Sequence, residues 1–117
     1  MSVQAILISS DLIFISKVKE VARVAQATIT VARSISALES ALTERAPGVL
    51  LLDLEKPGAP LEGIVPVFTA ALEGGWKGIS FFSHVHEELE VRANELGLGA
   101  VLPRSLFVKR LPDLLKE

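Results

Sequence analysis

The chain has 117 residues, half of them hydrophobic, which is the size of one compact domain with a core of its own and leaves no room for a second. A net charge of -2, with acids and bases interleaved, excludes a basic nucleic-acid stripe and a polybasic membrane patch. The absence of cysteine excludes a disulfide framework and a thiolate metal site, and fits a reducing compartment.

Met1-Ser2-Val3-Gln4 carries no basic segment, and the apolar run Ala5 to Ile8 ends at Ser9, Ser10 and Asp11. That run is too short for a signal peptide or a membrane span, so a cytoplasmic protein is expected. Gln4 to Ser9 reads as the first strand, and Asp11 is placed to cap a helix whose buried stripe is Phe14, Val18, Val21, Ala22 and Ala25. Thr28 to Ala32 is the second strand. Ser36 with Glu39 forms a capping box for a helix burying Leu38, Ala41 and Leu42. Val49 to Asp53 is a third strand, continuously apolar until it ends in a carboxylate. Glu55 to Gly63, with two prolines and two glycines, is the longest irregular stretch. The next helix buries Ile64, Phe68, Ala71 and Leu72, and Trp76 after it packs over the sheet edge, with a docking anchor as the alternative. Gly78 to Phe82 is the fourth strand. His84 and His86 match no zinc spacing and read as a solvated turn. Leu89, Ala93 and Leu96 mark a fourth helix ended by Gly97. Ala100 to Leu102 is a short fifth strand, and Ser105 to Glu117 offers Phe107, Leu111, Leu114 and Leu115 as a fifth helix that Pro112 should kink or divide.

Strands alternating with helices predict an α/β fold, a single domain with a doubly wound five-stranded parallel sheet. With the order 2-1-3-4-5, strands one and three lie side by side and deliver Asp11 and Asp53 to one crevice at their carboxyl ends. Two carboxylates there suit Mg²⁺, which takes oxygen ligands and keeps several waters. Against this, Asp11 serves equally well as an N-cap, and Asp53 as an ordinary strand-end acid. Ser83 after the fourth strand and Arg104 after the fifth add a hydroxyl and a permanent cation at the same edge.

An acid after the first strand, an aspartate ending the third, Ser83, a cation after the fifth and Pro57 beyond the aspartate resemble the response-regulator receiver domains of two-component signalling. The resemblance spans essentially the whole chain. It implies the CheY-like, flavodoxin-like fold, with Asp53 as the phosphoacceptor and Ser83 as the switch hydroxyl. It further implies that Arg104 contacts the phosphoryl group, and that Mg²⁺ is held weakly by Asp11, Asp53 and the backbone carbonyl of Glu55. A carboxylate nucleophile attacks phosphorus, metal and cation neutralise the transferred oxygens, and the hydroxyl reports the event.

The sequence departs from the family pattern within the site. Ser10 stands where receivers place the first acid, His84 where they have a small residue, and Pro103 precedes the cation where it usually follows it. Arg104 replaces a lysine and is no simple substitute. The resemblance therefore implies a receiver-like signalling module that is not an enzyme, a degenerate member acting by protein–protein interaction. The alternative is an active Mg²⁺-dependent phosphoacceptor at Asp53. With no output domain in the sequence, its partners are expected to be a histidine kinase, a phosphotransfer protein or a downstream effector. A homodimer through the fourth helix, fifth strand and fifth helix belongs to the same expectation, and neither nucleic acid nor membrane does. A small flavodoxin-like or nucleotide-binding enzyme is disfavoured, because Ser9 to Ile13 has neither spaced glycines nor a GxxxxGK[ST] cradle.

Overall fold

The computed structural model describes residues 3–83 and 87–116. Strands β1 (Gln4–Ile8), β2 (Thr28–Ala32), β3 (Val49–Asp53), β4 (Lys77–Phe82) and β5 (Ala100–Pro103) form one parallel sheet in the order β2-β1-β3-β4-β5. Five helices connect and follow them: α1 (Leu12–Ala25), α2 (Ile35–Thr43), α3 (Leu61–Glu73), α4 (Glu87–Glu95) and α5 (Arg104–Leu114). This is the doubly wound architecture that the alternation of strand and helix patterns predicts.

Because successive strand residues point to opposite faces, each central strand feeds two cores. Ile6, Ile8, Leu50 and Leu52 pack with Leu38 of α2, Ile64 and Phe68 of α3 and Ala93 of α4. Ala5, Leu7, Leu51 and Phe81 pack on the other face with Phe14 and Val18 of α1 and Phe107 and Leu111 of α5. Asp53 and Ser9 are thus held at the ends of strands whose side chains are locked on both sides.

Several local expectations are corrected. The cap of α2 is Ser34, whose hydroxyl accepts from the Ala37 amide at 3.0 Å, so Ser36 lies inside the helix and the Ser36–Glu39 capping box does not form. Starting at Ile35 places that side chain on the same core stripe as Leu38 and Leu42, and this burial outweighs the reciprocal cap. β1 stops at Ile8, not Ser9, while β4 begins at Lys77 and β5 extends to Pro103. The irregular stretch after β3 ends sooner than Gly63, since α3 starts at Leu61. Helix α5 runs undivided through Pro112, which falls in its last turn and removes one backbone donor there. Asp11 caps α1, accepting from the Phe14 amide. Gly97 follows α4 at φ +70°, where the Leu98 amide returns to Ala93 and that of Gly97 to Asn94. Trp76 is buried against the α2–α3 core, which removes it as a docking anchor.

The approach of β5 to β4 depends on Gly99, at φ +78°, where a Cβ would overlap the carbonyl of Gly78. Gly97 has the same left-handed conformation, yet nothing lies within 4 Å of a Cβ built there. Gly99→Ala is therefore expected to lose about 3 kcal/mol of stability, against about 1 kcal/mol for Gly97→Ala. Urea unfolding of both variants checks this, and equal losses would leave the close approach without energetic weight.

Candidate functional site

The site lies where β1, β3 and β4 end and α5 begins. Register pairs Ile8 with Leu52 and Asp53 with Phe81, so the residue after β1 necessarily falls beside Asp53. That residue is Ser9. Asp53 has no exposed surface, and its carboxylate is surrounded by donors. Oδ1 accepts from the amides of Glu55 and Lys56, both at 3.1 Å, as the chain turns immediately after the strand. Oδ2 accepts from the Ser9 hydroxyl at 2.9 Å and faces Nη2 of Arg104 at 3.5 Å.

Asp11 fills both roles that its position allows. Oδ1 caps α1 at 3.2 Å from the Phe14 amide, and Oδ2 lies 3.7 Å from Nη1 of Arg104. One guanidinium therefore bridges the two acids. Its carbon sits 4.3 Å from the centre of the Phe14 ring, which acts as a plate beneath it. Phe14 is held in turn by Phe81 and Phe107, with ring centres 5.1 and 6.1 Å away. Nε of Arg104 is buried without a hydrogen-bond partner, so the head is positioned by the two acids and by the rings of Phe14 and, 5.8 Å away, Phe81.

Ser83 lines the same cleft as Asp11, Phe14, Lys17, Lys56 and Arg104, an open hollow of about 780 Å³. Its amide donates to the Glu55 carboxylate at 2.6 Å, so Glu55 enters the site through its amide and its side chain. Ser10 turns its amide and hydroxyl to the Lys56 carbonyl, at 2.8 and 3.3 Å, tying the loop after β1 to the loop after β3. An acid at that position would meet a carbonyl oxygen. His84 and His86 lie outside the described residues.

The structure thus brings these residues together, with Asp11, Ser83 and Arg104 lining the cleft, Asp53 buried against Arg104 and Glu55 against Ser83. It also brings in Ser9 and Lys56, to which the residue pattern assigned no role. The signal for Ser9 was present in the strand order, which sets the ends of β1 and β3 side by side.

Solved structures with similar backbones include the phosphorylated cyanobacterial phytochrome response regulator RcpA, at a TM-score of 0.72 and 13% identity over 99% of this chain and 90% of that one. A CheY-like response regulator receiver domain protein from Methanospirillum hungatei JF-1 gives 0.70 and 16% over 97% and 94%. The non-phosphorylated HemR receiver domain from Leptospira biflexa gives 0.68 and 19% over 95% and 92%. The chain has the receiver fold. Its sequence matches no protein-family model and no curated protein. At such identities the likeness carries the fold, and the chemistry of this receiver-fold site rests on its own residues.

Those residues do not fit Mg²⁺ as they stand. Among the described residues, no three His, Asp or Glu side chains come together as ligands, and Asp11 and Asp53 already share the Arg104 guanidinium. Each also uses Oδ1 to accept from backbone amides.

Removing the Ser9 hydroxyl leaves Oδ2 of a fully buried carboxylate with Arg104 as its remaining partner. Ser9→Ala is expected to destabilise by about 2 kcal/mol, the range for a hydrogen bond to a charged group, and by about 1 kcal/mol in an Asp53→Asn background. A urea-unfolding double-mutant cycle reads the coupling, and identical losses in both backgrounds would show that Ser9 does not serve the charge.

Proposed function

We propose that the protein is a receiver-like signalling module of the two-component type, that it acts by binding a protein partner rather than as an enzyme, and that Asp53 is a poor phosphoacceptor. The observation that carries this reading is the state of the Asp53 carboxylate: fully buried, with Ser9 on one oxygen, two amides on the other and Arg104 against it. An in-line attack needs an oxygen with a free lone pair and an open path to phosphorus. Here the nucleophile must first break hydrogen bonds and move Arg104. The cytoplasmic setting belongs to the same proposal.

Partners of the expected kind are a histidine kinase, a phosphotransfer protein or a downstream effector. The face of α4, β5 and α5 is the proposed surface for such a partner or for a second copy of the chain. On it Val91 is 57% exposed, beside Leu96, Glu88, Arg92 and Glu95.

A second reading, in which Asp53 accepts a phosphoryl group, draws support from Ser83 and Arg104 lining one cleft, with Arg104 against Asp53. Incubation with Mg²⁺ and a small phosphodonor, followed by intact mass measurement, separates the two. No phosphoryl adduct is expected on the parent protein, and Asp53→Asn controls for labelling elsewhere. Stoichiometric labelling that depends on Asp53 and Mg²⁺ would falsify the first reading in favour of the second.

A further inference from the structure

We infer that Arg104 is the resident cation of this site, a covalent substitute for a divalent metal that excludes Mg²⁺ from the Asp11–Asp53 pair. Four observations converge. The guanidinium bridges both carboxylates, with Nη1 toward Asp11 and Nη2 toward Asp53. It lies flat enough on Phe14 to place its carbon 4.3 Å from the ring centre, so its position is set by the core and not by chance at a surface. Its Nε is buried without a partner, a penalty that a solvated arginine avoids and that this one accepts to hold the bridge. Finally, Arg104 is the first residue of α5, where the helix dipole disfavours a positive charge, so the helix end does not account for its pose and the acids must offset it.

A divalent ion approaching the pair meets this charge and more of the same sign. Among the described residues lining the cleft, Lys17, Lys56 and Arg104 are cationic and Asp11 is acidic, with the Asp53 and Glu55 carboxylates behind Arg104 and Ser83. The ion would have to displace the guanidinium from both acids, and Ser10 supplies no further carboxylate to favour the exchange. The donor set is consistent throughout: the negative charge present is matched by a side chain rather than by a ligand. The inference rests on this geometry and not on the signalling reading.

The test is thermal unfolding of the full chain with and without about 10 mM Mg²⁺ at matched ionic strength, since an ion that binds only the folded state must raise the midpoint. The parent midpoint is expected to stay where it is. Arg104→Ala opens the pair, and its midpoint is expected to rise by about 5 °C with Mg²⁺. Arg104→Met, which keeps a long apolar side chain against Phe14 without the charge, is read in the same way if the alanine variant does not fold. If neither folds alone, folding restored by Mg²⁺ supports the inference and failure of that rescue overturns it. It is also overturned by a Mg²⁺-dependent rise in the parent that Asp53→Asn abolishes, or by a folded Arg104 variant that remains indifferent to the ion. A response of the parent would remove this inference alone, because the phosphodonor experiment judges the signalling reading separately.

Discussion

A carboxylate without exposed surface at the end of a central strand is the constraint around which this molecule is arranged. Taking such a charge out of water costs several kcal/mol even after relaxation, so Asp53 is tolerated only if its surroundings replace the lost hydration. Three segments of chain do so. The turn after β3 offers two amides, the end of β1 a hydroxyl, and the start of α5 a guanidinium, while Ser10 fastens the β1 and β3 loops together through the Lys56 carbonyl. The site is therefore a consequence of parallel topology. Only a sheet that ends all its strands on one edge brings these donors within reach of one acid.

The second dependence runs from the core to that edge. Phe81 on β4 and Phe107 on α5 stack with centres 4.2 Å apart, and both pack against Phe14 of α1. This aromatic cluster fills the space between α1, α5 and the sheet, and its outermost ring supports the guanidinium. Apolar packing thus sets the position of a charge. The link between Asp53 and α5 is short, running through one side chain at the first position of that helix.

Much of this was legible in the sequence because it follows from period and order. Val49 to Asp53 is apolar without interruption, as a strand buried on both faces must be, and the alternation of strand and helix patterns limits the topology to a few solutions. Given the order, strand ends alone placed Asp11, Asp53, Ser83 and Arg104 at one edge. What was not legible depends on side-chain direction and competition. Ser36 with Glu39 reads as the cap, yet Ser34 takes that role and sets Ile35 on the core stripe. Pro112 reads as a break, yet near a helix end it removes a single donor. Ser9 looked like a strand residue until the strand stopped one position early and freed its hydroxyl for Asp53. That Arg104 spans two acids, rather than waiting for a phosphoryl group, is a matter of rotamer and of the ring below it.

A bound metal and a built-in guanidinium differ in what they make a site depend on. A divalent ion contributes its charge only when present, and its occupancy couples the fold to ion concentration and to any ligand that completes its coordination shell. A guanidinium is covalently supplied, charged at every accessible pH and oriented by its own stem. With Arg104 bridging Asp11 and Asp53, charge compensation does not depend on a ligand, and the serine at position 10, which adds no charge, ties the loops that carry both acids.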